Sequence, residues 1–213
     1  MRVTIITPWL NRIDLLPVYE AAVDTADEVI VVDNGSGLGC VDDLRDFAAR
    51  NPAVKLIENG ANQYFARACN QGLAHASGDI VVMLNNDVVG FGLDWIERTR
   101  RDVKPDGLYG PSMRTNTAGG MTFTYLEGWC LAARRRTWLE LDGFDDFTFQ
   151  KPYWEDVDLC WRAVYRGYTV QATDWPLVHL GNQTAKNLPD APKWEDENRR
   201  RFAHKVMRHR AIG

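Results

Sequence analysis

The sequence predicts an α/β protein built on an open, mostly parallel, twisted sheet flanked by helices. Two observations carry this. The first sixty residues alternate short β-branched runs with segments of helical apolar spacing, the order that right-handed parallel crossovers require. Those runs are continuously apolar, as in strands covered on both faces, and they end abruptly in polar, turn-forming residues. With 213 residues, 45% of them hydrophobic, the chain can bury a core of this kind.

Val3 to Thr7 is the first strand, and Pro8 is expected to end it. Helical spacing follows from Ile13 to Ala26. Glu28 to Asp33 is a second buried strand running into the turn-rich Asp33-Asn34-Gly35-Ser36-Gly37. Val41 to Arg50 reads as helix, Val54 to Glu58 as strand, and Tyr64 to Ala76 as a third helix bearing Arg67, Asn70 and Gln71. Ile80 to Leu84 is the most apolar run and the expected central strand; it stops at Asn85-Asn86-Asp87. Leu93 to Arg101 is helical, and Gly107 to Pro111 and Met121 to Tyr125 are strands, with a loop at Asn116 to Gly120. Glu127 to Ala133 is a further strand, and Arg134-Arg135-Arg136 leads a short helix with Trp138 and Leu141. An aromatic-rich loop, Phe144 to Tyr153, precedes a helix over Trp154 to Ala163. In that helix Val157, Cys160, Trp161 and Val164 form an apolar stripe, and Asp158 and Arg162 pair four apart on another face. Tyr168 to Thr173 and Leu177 to Leu180 are short strands, and Gly181 to Pro192 is a loop suited to folding over a site. Arg199 to Arg210 is a basic helix with six lysines or arginines and no acid.

Bulk properties exclude several classes. A net charge of −4 gives no global pull toward nucleic acid or acidic membranes. Cys40, Cys69, Cys130 and Cys160 lack C-x-x-C spacing, so neither a zinc site nor a thiol-redox motif is indicated. Gly35, Gly37 and Gly39 do not make a dinucleotide fingerprint, because Cys40 stands where the third glycine is needed. No run suits a signal peptide or membrane span, which places the protein in the cytoplasm, with peripheral attachment at a membrane surface left open by the basic C-terminal run.

Ligands of open parallel sheets lie beyond the carboxyl ends of the strands, here Thr7-Pro8 and Asp33-Asn34, and a nucleotide is the natural occupant. Asn85-Asn86-Asp87 puts three oxygen-bearing side chains at such an end, suited to a hard cation anchored on the carboxylate. Glu155 and Asp156, in the first turn of their helix, read equally as helix caps or as a catalytic base. The positive helix end is expected to keep Asp156 ionised and to lower its basicity.

In this order the motifs resemble those of the family 2 glycosyltransferases, rhamnosyltransferase-like members included. They are Val31-Val32-Asp33-Asn34-Gly35-Ser36, Arg67-Ala68-Cys69-Asn70-Gln71-Gly72, Leu84-Asn85-Asn86-Asp87-Val88, Gly143-Phe144-Asp145, Trp154-Glu155-Asp156-Val157-Asp158-Leu159 and Val178-His179. The resemblance implies a GT-A (Rossmann-like) fold over 1–192, with a nucleotide-sugar half of about 1–90, an acceptor half of about 91–192 carrying a small sheet, and a basic C-terminal helix or tail at 193–213. It implies an inverting transfer from a UDP-, dTDP- or GDP-sugar to a hydroxyl of a glycan, lipid-linked glycan, protein or modified DNA, assisted by Mn2+ or Mg2+. Asp156 would be the base, with Glu155 beside it. Thr7, Pro8, Asp33, Arg67, Asn85 and Asn86 would bind the donor, Asp87 and His179 the metal, and Trp129, Tyr153 and Trp154 the acceptor. Asn85 departs from the family's D-x-D motif, where aspartate is usual, so lower metal affinity is expected. Two rivals stay open: a nucleotidyltransferase, whose Gly-rich basic loop is replaced by Thr7-Pro8-Trp9-Leu10-Asn11, and a lapsed nucleotide-sugar-binding module, suggested by Asn85.

Overall fold

The computed structural model describes residues 1–90, 94–181 and 190–212. The strands are β1 (Val3–Trp9), β2 (Glu28–Asp33), β3 (Val54–Glu58), β4 (Ile80–Leu84), β5 (Val88–Gly90), β6 (Gly107–Gly110), β7 (Met113–Ala118), β8 (Met121–Leu126), β9 (Cys130–Arg134), β10 (Thr169–Ala172) and β11 (Leu177–His179). The helices are α1 (Leu16–Val23), α2 (Leu38–Arg50), α3 (Tyr64–His75), α4 (Trp95–Asp102), α5 (Arg135–Glu140), α6 (Glu155–Tyr165) and α7 (Ala191–Ile212).

Seven strands make the main sheet in the order β10-β6-β9-β4-β1-β2-β3. All its pairings are parallel except those of β9, which runs antiparallel between β4 and β6. Two small antiparallel sheets, β5 with β11 and β7 with β8, stand apart from it. Alternate residues of one strand enter opposite cores, as strand geometry requires. Ile5, Val31 and Val82 pack on one face, and Ile6, Ile30 and Met83 on the other. A third cluster joins Trp154 and Val157 of the α6 region to Phe202 and Val206 of α7.

β2, β3 and the central strand have the predicted bounds, whereas several other segments differ. β1 continues through Pro8 to Trp9, because beyond Ile6 it pairs only with β2 and a missing N–H on the other side costs no ladder bond. Asn116 lies in β7, not in a loop; the hairpin turns at Gly119 and Gly120, both at positive φ. The strand expected over Glu127 to Ala133 starts at Cys130 and belongs to the main sheet, paired with β4, so only the residues before it face the acceptor side. On α6, Val164 is exposed, and the buried set is Val157, Leu159, Cys160 and Ala163 together with Asp158. The Asp158–Arg162 pair (2.7 Å) is thus internal, and Lys205 of α7 closes on the second Asp158 oxygen at 2.6 Å. α7 itself begins at Ala191, inside the expected loop, whose residues 182–189 lie outside the described ones, as does Leu93.

A buried carboxylate ties the edge of the sheet together. Glu28 accepts from Thr4 Oγ1 (2.6 Å), Lys55 Nζ (2.6 Å) and the Ser77 amide (2.8 Å). Burial alone would raise its pKa, but these donors outweigh it and bring it down to about 2. A folded value below the ordinary one means stability that is present above about pH 4.5 and lost as pH falls toward about 2. Glu28→Gln is expected to cost about 2–3 kcal/mol at pH 7 and to flatten the acid limb of a denaturation series recorded against pH.

Candidate active site

The carboxyl ends of β1, β2 and β4 and the amino end of antiparallel β9 share one edge of the main sheet, and a cavity of about 470 Å³ opens there. Pro8, Asn34, Asn85, Asn86 and Asp87 form its wall on the sheet side. Arg114, Tyr125, Glu127, Gly128 and Trp129 form the β7–β8 side, and Tyr153 to Val157 the α6 side. Sheet pairing explains the juxtaposition. Leu84 pairs with Cys130, and the Asn85 amide donates to the Trp129 carbonyl at 2.9 Å, so the end of β4 meets the start of β9.

His179 reaches the same place by β5–β11 pairing, in which it stands opposite Val88, next to Asp87. Its Nε2 lies 3.0 Å from Asp87 Oδ1 and 3.4 Å from Asn85 Nδ2. The Trp129 indole stacks on the imidazole, with centroids 5.2 Å apart and planes 11° apart, and so fixes the ring. That face of Trp129 is therefore covered by His179 and not offered to a sugar. A hard carboxylate oxygen and an imidazole nitrogen on one cavity wall would suit a divalent cation such as Mn2+ or Mg2+. No group of three or more His, Cys, Asp or Glu side chains suited to a metal occurs among the described residues.

Opposite lies the acid pair at the start of α6. Asp156 Oδ2 accepts from the Gly128 amide (3.0 Å) and Oδ1 from the Val157 amide (2.8 Å). Burial pushes its pKa up to about 6, against the pull of those amides. The helix end therefore does not win: the group is ionised at neutral pH, but more basic than an ordinary aspartate. Glu155, 7% exposed, is pushed up further, first by burial and then by the charge of Asp156. Its Oε2 has no hydrogen-bond partner among the described residues. The two carboxyls titrate as a coupled pair, in which burial and the Asp156 charge both favour the neutral form of Glu155.

The turn before α6 is strained. Tyr153 (φ +81°) and Trp154 (φ +74°) are consecutive non-glycine residues in the left-handed region, where each costs about 1–3 kcal/mol. Trp154 nonetheless caps α6, and its carbonyl accepts the Asp158 amide at 3.0 Å.

Of the donor-side residues read from the sequence, Pro8, Asn85 and Asn86 line the cavity, and Thr7, Asp33 and Arg67 do not. Thr7 is fully buried under Tyr19, whose hydroxyl donates to it at 2.8 Å. Asp33 turns back to accept from the Gly35 and Ser36 amides and so shapes the loop that presents Asn34. Arg67 lies on the exposed face of α3, opposite buried Ala66, Cys69 and Leu73. Asp87, His179, Glu155, Asp156, Trp129, Tyr153 and Trp154 are all brought to the cavity. Sequence reading missed Arg12, whose charge is favoured by its bond to Asp14 and also by the field of Asp87. It also missed Glu127, held by Ser112, by Arg114 at 2.7 Å and by Trp129 Nε1 at 3.3 Å, and Glu195, which α7 contributes to the wall.

The model of the family "Glycosyl transferase family 2" matches residues 4–159. A TPR repeat-containing protein of Synechococcus elongatus is 31% identical over 150 residues, covering 70% of this chain and 33% of its own. A protein of Mycobacterium tuberculosis described as "Putative glycosyltransferases" is 30% identical over 95 residues, covering 41% of this chain and 28% of its own. The chain thus spans about a third of the length of the curated relatives it matches. Among solved structures, a mannosyltransferase from Pyrobaculum calidifontis in complex with GDP-Man and Mn2+ superposes with a TM-score of 0.67 at 22% identity, over 81% of this chain and 54% of that one. GalNAc-T7 with UDP, GalNAc and Mn2+ gives 0.67 at 13% identity, over 91% and 47%. S. aureus TarS gives 0.59 at 13% identity, over 86% and 37%.

Proposed function

Because the chain belongs to glycosyl transferase family 2, we propose that it transfers a sugar from a nucleoside-diphosphate sugar to an acceptor hydroxyl, with inversion at the anomeric carbon and assistance from a divalent cation. The observation that carries this reading is that one cavity holds the Asp87–His179 pair on its sheet side and the amide-held carboxyl of Asp156, its pKa raised to about 6, on its α6 side. A nucleoside diphosphate fits the strand-end wall at Pro8, Asn34 and Asn85. Mn2+ or Mg2+ on Asp87 and His179 would neutralise charge growing on the diphosphate as its bond to the sugar breaks. The GDP-Man and UDP complexes with Mn2+ of the two neighbours of like fold support the same class of donor and metal.

On the acceptor side, Asp156 takes the proton of the attacking hydroxyl while that oxygen bonds to the anomeric carbon and the bond to the diphosphate breaks. Two backbone amides hold the carboxylate still, so little reorganisation is needed when the hydroxyl arrives. Burial and the neighbouring Asp156 disfavour a second negative charge on Glu155 beside the incoming oxygen. Arg12 adds a fixed positive charge near Asp87, where diphosphate charge would collect. One base and a single displacement give inversion. Glu127, Tyr153 and Trp154 would frame the acceptor, a glycan, lipid-linked glycan, protein or modified DNA.

Sugar nucleotides based on UDP, dTDP and GDP, each with Mn2+ or Mg2+, should be screened for thermal stabilisation and for release of nucleoside diphosphate. One donor is expected to raise the melting temperature by several degrees and to be consumed. Stabilisation without consumption in the presence of any acceptor class would leave a binding module, and release of inorganic pyrophosphate from a sugar phosphate and a nucleoside triphosphate would make the protein a nucleotidyltransferase.

A further inference from the structure

Helix α7 lies beyond the span matched by the family, yet it reaches the turn that carries the acid pair. Asn198, 1% exposed, donates its side-chain amide to three successive backbone carbonyls: Lys151 (3.0 Å), Pro152 (3.1 Å) and Tyr153 (2.9 Å). Its Oδ1 accepts from Arg201 (3.3 Å), which also donates to the Thr148 carbonyl at 3.1 Å. The last of these carbonyls belongs to Tyr153, the first of the two left-handed residues, and Trp154, Glu155 and Asp156 follow it. These three consecutive, half-buried carbonyls lie in no strand or helix that would satisfy them, and a side chain supplies the donor. Such conformations persist only where neighbouring groups over-determine them.

Docking of α7 does not need this amide. Phe202 packs on Trp154 with ring centroids 5.4 Å apart, and Lys205 bridges Asp145 (2.7 Å) and Asp158 (2.6 Å). These contacts hold the helix independently of the Asn198 amide nitrogen, whose three acceptors all lie in the turn.

We propose that Asn198 is a positioning residue for the transfer: its amide holds the backbone of 151–153 so that α6 starts in the strained conformation that aims Asp156 into the cavity. This rests on the assignment of Asp156 as the base. C-terminal helix and acid pair thereby form one device.

The test compares Asn198→Ala and the near-isosteric Asn198→Asp, which presents a carboxylate to the three carbonyls, with Val206→Ala, which thins the packing of α7 and leaves the three Asn198 bonds in place. Amide hydrogen exchange over 151–158, nucleoside diphosphate affinity with Mn2+, and kcat are read for each. Both Asn198 variants should exchange at least about tenfold faster at the turn and lose about tenfold or more in kcat, with nucleotide Kd within about twofold. In a Tyr153→Gly background the kcat loss from Asn198→Ala should shrink, because glycine takes a positive φ without strain. Val206→Ala should lower Tm and leave exchange at the turn and kcat near the parent values. Unchanged exchange at 151–158 in both Asn198 variants, or an equal kcat loss in Val206→Ala, overturns the proposal. A parent protein that consumes no sugar nucleotide overturns the functional reading instead, and the exchange data still decide whether Asn198 holds the turn.

Discussion

Asp156→Asn is expected to lower the transfer rate by about a thousandfold or more while leaving nucleotide-sugar affinity within about twofold, since general-base contributions are of that size. The same substitution should change how stability depends on pH. The folded value of about 6 lies above the ordinary 3.8, so between these values the folded protein binds more protons than the unfolded chain, and stability falls as pH rises through the window. The Asn variant carries no such penalty. Its stability relative to the parent should therefore increase from about pH 4 to about pH 7, by up to about 3 kcal/mol, whatever constant offset the altered bond to Gly128 or Val157 adds. Activity of the parent should show an acid limb near pH 6. Near-parent turnover in the variant removes Asp156 as base, and a pH-independent stability difference removes the account of its burial.

Much of this was legible in the chain, for reasons that differ from residue to residue. Ile80 to Leu84 is a continuous apolar run, and Val54 to Glu58 sets Val54, Leu56 and Ile57 in a short segment between polar turns, so both strands are legible directly. The outward face of Arg67 was also available, because Ala66, Cys69 and Leu73 mark the buried side of α3; a motif match alone obscured it. The meeting of Asp87 and His179 was carried by the motif order and not by any local pattern, since β5 and β11 are three-residue strands distant in the chain. Asn198 and Lys205 gave no signal. Asn198 is buried and Lys205 half-buried in a helix that carries much solvated charge, and the residues they tie down lie forty to sixty positions away. Burial likewise inverted the expectation for Asp156, because helix-end electrostatics can be read from position but desolvation depends on what packs around the group.

Asp87→Ala is expected to remove the metal-dependent part of nucleoside diphosphate binding, and His179→Ala to weaken it by about tenfold, a difference that follows from charge. With Asn85 in place of a second carboxylate, the proposed anchor supplies one negative charge and one neutral nitrogen, and Arg12 places positive charge nearby. Metal affinity in the absence of nucleotide should then be weak, because the diphosphate must bring most of the negative charge and several of the oxygens. Calorimetric titration of Mn2+ should accordingly show little heat without nucleoside diphosphate and a saturable isotherm with it. Asn85→Asp should tighten metal binding both with and without the nucleotide. An imidazole ligand favours Mn2+ over Mg2+, so His179→Ala should narrow the difference between the two ions, whereas Asp87→Ala should abolish both responses. Identical Mn2+ isotherms for the parent and Asp87→Ala would take the metal away from this carboxylate, and an unchanged ratio of Mn2+ to Mg2+ affinity in His179→Ala would reduce the histidine to the stacking partner of Trp129.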